Sequence, residues 1–127
     1  MRTYLSKATL ITVLLAASAA GWHLNPAFNL SGTWLFSVDL EGGGHGDPTF
    51  VFKQEGDKLT GTYDGPMGHQ DVTGTVTGNK AVFGFQASND GETVKATYTG
   101  TLESETKMSG TVEFRTDVKG KWTAKKK

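Results

Sequence analysis

A chain of 127 residues with 13 basic and 13 acidic side chains is long enough for one domain and carries no formal net charge. Neither a nucleic acid nor an anionic membrane surface would attract it broadly. It contains no cysteine, which excludes disulfide cross-links, a thiolate nucleophile and cysteine-ligated metal.

Residues 1–20, MRTYLSKATLITVLLAASAA, place Arg2 and Lys7 around the start of an apolar run over 8–17 and end on small residues. That layout is a secretory signal peptide, with cleavage expected after Ala19 or Ala20. The apolar run is about half as long as the roughly 20 residues a bilayer span needs, so no stable membrane anchor is expected. The expected product is therefore exported, either to the periplasm or beyond it. Without Arg2 and Lys7 it keeps 11 basic against 13 acidic residues, and nucleic acid is not an expected partner. Residues 21–30 form a lead, in which Asn25 and Pro26 suit the cap and first position of a short helical turn.

The barrel or sandwich proper is expected over 31–127, where apolar residues alternate with polar ones in short runs broken by turn-rich stretches. The first strand (33–40) aligns Trp34, Phe36, Val38 and Leu40. The second (49–54) aligns Phe50 and Phe52. The third pairs Leu59 with Tyr63 and the fourth Val72 with Val76. Ala81, Phe83, Phe85 and Ala87 share a face of the fifth, and Val94, Ala96, Tyr98 and Leu102 of the sixth. The seventh aligns Met108, Val112 and Phe114, and the eighth Trp122 and Ala124. Opposite faces are mostly Thr, Lys, Ser and Glu, so each strand buries one side. Hairpin-length links favour an all-β, eight-stranded antiparallel up-and-down barrel over a sandwich, because closure removes the edge strands.

The triplet Ser/Thr-Gly-Thr occurs five times, with Gly32, Gly61, Gly74, Gly100 and Gly110 at its centre. Each glycine is in phase with inward residues. Sharp coiling or room for a bulky neighbour is the expected reason, and Gly32, Gly61, Gly78, Gly100 and Gly110 are expected to make room for Trp34. Links 55–58, 78–80 and 103–107 fall at one end and are tight. Links 41–48, 64–71, 88–92 and 115–120 fall at the other and are read as mostly longer loops around a mouth. The N-terminal lead would plug the tight end.

LSGTW (30–34) followed by LTGTYDG (59–65) resembles the opening of avidin-type barrels, and Gly32-Thr33-Trp34 resembles the Gly-x-Trp signature of the wider calycin group, which includes lipocalins. The resemblance implies a barrel with Trp34 closing its floor. It does not extend to biotin. Avidins carry Asn and Ser at the second and sixth positions after that Trp, where this chain has Phe36 and Leu40, and the Ser two residues after their Tyr is Gly65 here. PTFVFKQEGDKLTGTYDGPMG (48–68), VTGTVTGN, YTGT, MSGTV and GKWTAKKK also resemble small exported bacterial β-barrel domains of unknown function. That resemblance implies a fold and no chemistry.

Two constellations are candidates for function. The inward residues nearest the mouth, Leu40, Phe50, Tyr63, Phe85, Phe114 and Trp122, would either fill the barrel or line a site for a small apolar molecule. The pairs His45-x-Asp47 and His69-x-Asp71 carry donors suited to zinc or copper, and convergence of the two loops would make a metal site. No serine, histidine and carboxylate arrangement or phosphate-cradling loop suggests catalysis, and no cofactor is expected. The sequence thus predicts a non-catalytic binding or accessory module. The alternatives are a filled barrel that works through its surface, with a protein partner, and a loop metal-binding protein.

Overall fold

The computed structural model describes residues 28–89, 91–115 and 117–127. The expected signal peptide, its cleavage site and residues 25–27 of the expected helical turn lie outside the described residues. Among the described residues nine strands follow one another: β1 (Gly32–Leu40), β2 (His45–Gly46), β3 (Thr49–Glu55), β4 (Lys58–Gly65), β5 (Gly68–Thr77), β6 (Lys80–Asn89), β7 (Glu92–Ser104), β8 (Lys107–Arg115) and β9 (Val118–Lys126). Every pairing is antiparallel, and sequential long strands are neighbours. β9 also pairs with β1, from Gly120 opposite Leu40 to Lys126 opposite Trp34. The pairing of β9 with β1 therefore closes the eight long strands into an antiparallel barrel.

The period-two alternation has a direct physical consequence: inward side chains are apolar and the outward ones are wet. Among the described residues the buried set contains no charged side chain, and it runs through all eight long strands from Trp34 to Ala124. Aromatic rings fill the middle. Phe36 lies 4.3 Å from Phe50 and stacks on Trp122 at 4.7 Å, and Phe83 stacks on Tyr98 at 5.3 Å between centroids. Burial of each such ring stabilises the fold by about 2–3 kcal/mol.

At the tight end the described residues of the lead, 28–30, pack against the barrel floor. Leu30 is fully buried, and its carbonyl accepts the Trp34 Nε1–H at 2.9 Å. Its own N–H donates to Gln54 Oε1 at 2.8 Å. The Lys126 ammonium lies 5.6 Å from the Trp34 ring and donates to the Asn29 carbonyl at 3.1 Å.

At the mouth the links are shorter than the sequence suggested. The stretch 64–71 is a hairpin rather than a loop: β4 continues to Gly65, β5 begins at Gly68, and only Pro66 and Met67 turn between them. The stretches 88–92 and 115–120 shorten in the same way. The polar residues that looked like turn signals sit on the outward face of paired strands. Only 41–48 is longer, and two of its residues are tied down: His45 and Gly46 pair with Asp39 and Val38. Pro48 has no N–H for the ladder, yet its carbonyl accepts from Phe36 N at 3.0 Å.

The inward glycines serve their neighbours rather than Trp34. A Cβ on Gly110 would collide with the Thr99 carbonyl oxygen, and one on Gly61 with the Val51 carbonyl oxygen. These strands coil too closely for a side chain there. Gly100 does make room for an indole, but it is that of Trp122. Gly78 is a turn residue, with a φ of 59°.

Candidate functional site

Above the packed rings, the mouth end of the barrel holds a cavity of about 390 Å³. Inward residues of the converging strand ends contribute to it: Val38 and Leu40 from β1, Tyr63 from β4, Ala87 from β6, Val94 and Tyr98 from β7, and Phe114 from β8. Pro48, Pro66, Met67 and Val118 surround the opening, with Arg115 and His45 as its polar members.

Of the residues expected to meet a ligand, Leu40, Tyr63 and Phe114 line this cavity. Phe50, Phe85 and Trp122 do not: they are 0%, 5% and 2% exposed and belong to the packed layer beneath. Alternation tells which way a side chain faces, not how high its ring reaches. Phe50 closes on Phe36, Trp122 stacks on Phe36, and Phe85 lies 4.3 Å from Tyr63. Val38, Ala87, Val94 and Tyr98 were expected to face inward but not to line a site. The sequence places Pro48, Pro66, Met67 and Val118 in links. A signal for Tyr98 was present: a tyrosine at an inward strand position carries a hydroxyl that needs a partner.

Two tyrosines add buried hydroxyls to the cavity wall. Tyr63 Oη accepts the Met67 N–H at 3.2 Å, and Gln70 Nε2 donates to the Met67 carbonyl at 2.8 Å. The Pro66-Met67 turn is thus held from both sides over the opening. Gly65 allows this, because a Cβ there would stand 2.8 Å from Tyr63 Oη and 2.7 Å from Pro48 Cβ. Burial pushes the Tyr63 phenol above its ordinary 10.0, with the Met67 N–H acting the other way. Burial pushes the Tyr98 phenol further up, helped by the nearby Tyr63. Both are neutral O–H groups across the physiological range.

The histidines are arranged otherwise than expected. His45 Nδ1 meets Asp39 Oδ1 at 2.7 Å and His45 Nε2 meets Asp47 Oδ1 at 2.9 Å. His69 Nδ1 meets Asp64 Oδ1 at 2.6 Å, its cross-strand partner, while Asp71 stands opposite Thr62. The expected convergence of His45, Asp47, His69 and Asp71 is therefore not found. Both ring nitrogens of His45 are engaged by carboxylates, and His69 lies on the outer face of β5. Among the described residues, no group of three or more His, Cys, Asp or Glu side chains is placed to hold a metal ion. Hydrogen bonding to the carboxylates raises both histidines above 6.5, through Asp39 and then Asp47 for His45 and through Asp64 for His69.

No family model and no curated protein matches the chain. Solved barrels do. A redesigned β-barrel gives a TM-score of 0.64 at 19% identity, covering 77% of this chain and 91% of its own. The redesigned barrel mFAP0 bound to DFHBI gives 0.57 at 18%, covering 76% and 98%. EF1p2_mFAP2b bound to DFHBI gives 0.54 at 16%, covering 77% and 93%. What they share with this chain is the fold.

Proposed function

We propose that the protein is an exported, non-catalytic binding module of the calycin type, and that its mouth takes one small apolar molecule. The observation that carries this reading is the cavity of about 390 Å³ above a filled aromatic core. Its volume lies within the range of roughly 300–1,000 Å³ found for small-molecule sites, and its walls are mostly apolar with a few polar groups. Two barrels of similar fold hold DFHBI, which supports the fold as a container for a small molecule. The Gly32-x-Trp34 pair at the sealed floor supports the calycin reading. The signal-like segment 1–20 supports export. No Asp or Glu lines the cavity among the described residues, and Asp39, Asp47 and Asp64 are paired with histidines, which supports a binding rather than a catalytic role.

The test is native mass spectrometry of the purified protein, combined with methyl NMR during titration with fluorene. Shifts of the Val38, Val94, Val118 and Met67 methyls, with Leu59 and Val76 at the tight end unmoved, are expected. No retained molecule and no methyl shift would leave a filled barrel that acts through its surface.

A further inference from the structure

Each indole N–H and phenol oxygen described in the barrel has a protein partner except one. Trp34 donates to Leu30, Trp122 donates to Thr111 and Tyr63 accepts from Met67. Tyr98 is 1% exposed and lines the mouth cavity, and among the described residues its hydroxyl has no hydrogen-bond partner. Buried hydroxyls are rarely left unpaired, because desolvation without a new bond is costly. The partner for this one must come from what occupies the cavity. Tyr63 lines the same cavity, and both rings pack on Phe50 at 5.2 Å and on Phe85 at 4.3 and 6.3 Å. Since Tyr63 Oη accepts the Met67 N–H, its own proton is free to be donated.

We infer that the cavity takes an apolar molecule bearing a neutral carbonyl oxygen, and that this oxygen accepts hydrogen bonds from the Tyr98 and Tyr63 hydroxyls. Two donors match the two lone pairs of one carbonyl oxygen. A carboxylate at that depth would be buried without a cation. Arg115 is at the opening, 3.9 Å from Glu92, and His45 is held by Asp39 and Asp47. The orientation follows: the carbonyl enters first and the apolar body fills the space between Ala87, Val94 and Phe114. This inference rests on the binding reading above and assigns its ligand class.

The experiment uses three probes of one shape, fluorenone, fluorene and fluorene carboxylate, with the wild-type protein, Tyr98→Phe and Tyr63→Phe. Calorimetry gives affinities, infrared spectroscopy gives the fluorenone carbonyl stretch, and thermal melts verify that the variants fold. Wild type is expected to bind fluorenone about tenfold tighter than Tyr98→Phe does, the effect of one buried hydrogen bond. Fluorene is expected to bind both proteins within about twofold, and the carboxylate most weakly. The bound carbonyl stretch should move to lower frequency in wild type and less so in Tyr98→Phe, with Tyr63→Phe intermediate. Equal binding of fluorenone and fluorene with an unmoved stretch, or tightest binding of the carboxylate, overturns the carbonyl inference and leaves the binding reading standing. If none of the three binds wild type, the binding reading falls and the inference falls with it. Should Tyr98→Phe fail to fold, the three-probe comparison and the stretch in wild type still decide.

Discussion

The Trp122 indole occupies the space directly over Gly100: a Cβ on that glycine would lie 2.5 Å from Cη2 and 2.6 Å from Cζ2. The ring has little freedom to retreat. Its Nε1–H donates to the Thr111 carbonyl at 2.8 Å, and its face stacks on Phe36. One extra methyl must therefore displace either the indole or a strand. Gly100→Ala is expected to destabilise the barrel by about 1–3 kcal/mol, the usual cost of overpacking. Urea unfolding followed by tryptophan fluorescence measures it. An unchanged midpoint would mean that the indole can move aside.

The floor makes a second prediction. Trp34 is fully buried, and its hydrogen bond to Leu30 ties the last residues of the lead to the barrel. Trp34→Phe keeps a ring but loses the N–H and leaves a void. The expected cost is about 2–3 kcal/mol, below that of truncation to alanine. Hydrogen exchange gives a more specific readout than the midpoint. The Leu30 amide, bonded to Gln54, should exchange faster, whereas amides in the Pro66-Met67 hairpin should keep their protection.

Much of this architecture was legible before any coordinates. Alternation assigned Trp34, Phe36, Val38, Phe50, Phe52 and Phe83 to the inside, and all are buried. Two things were not legible, each for a physical reason. Polarity marks an outward strand position as readily as a turn, so Asp64, His69, Glu92 and Arg115 concealed how far the strands run. Register was hidden with them. His69 meets Asp64 rather than Asp71 because a two-residue turn sets them opposite each other. Depth was the other gap. Phe50, Phe85 and Trp122 face inward as expected, but their rings pack on Phe36, Tyr63, Phe83 and Tyr98, and the cavity wall falls to Leu40, Tyr63, Tyr98 and Phe114 with smaller residues.

The two phenols predict alkaline behaviour. Tyr63 and Tyr98 are both raised above 10.0 by burial, so the folded state holds their protons more tightly than the unfolded state. Between the two values the folded chain binds more protons, and stability falls as pH rises. Their contribution is thus complete below about pH 10 and is lost above it. In protein lacking residues 1–20, these are the two tyrosines that remain. Ultraviolet titration should therefore show little phenolate until the barrel unfolds, and then a cooperative rise coincident with loss of near-ultraviolet circular dichroism. A reversible step near pH 10 in the folded state would contradict the burial of both hydroxyls.

The rim histidine predicts an effect at lower pH. His45 sits between two carboxylates, and its pKa is raised above 6.5, chiefly by the hydrogen bond to Asp39 and then by that to Asp47. The folded state therefore favours the imidazolium. Its stabilising contribution is fully present below about pH 6.5 and disappears as pH rises through the raised folded value. His45 is exposed, so solvent screens the pair and the effect on melting is small. NMR titration resolves it directly: the His45 midpoint should lie above 6.5 in wild type, fall most in Asp39→Asn, and fall less in Asp47→Asn. His69 has its own partner in Asp64 and should not respond to either change. The difference in melting temperature between wild type and His45→Gln should shrink over the same pH interval. If the His45 midpoint is unmoved by Asp39→Asn, this histidine does not clasp β2 to the end of β1 in solution.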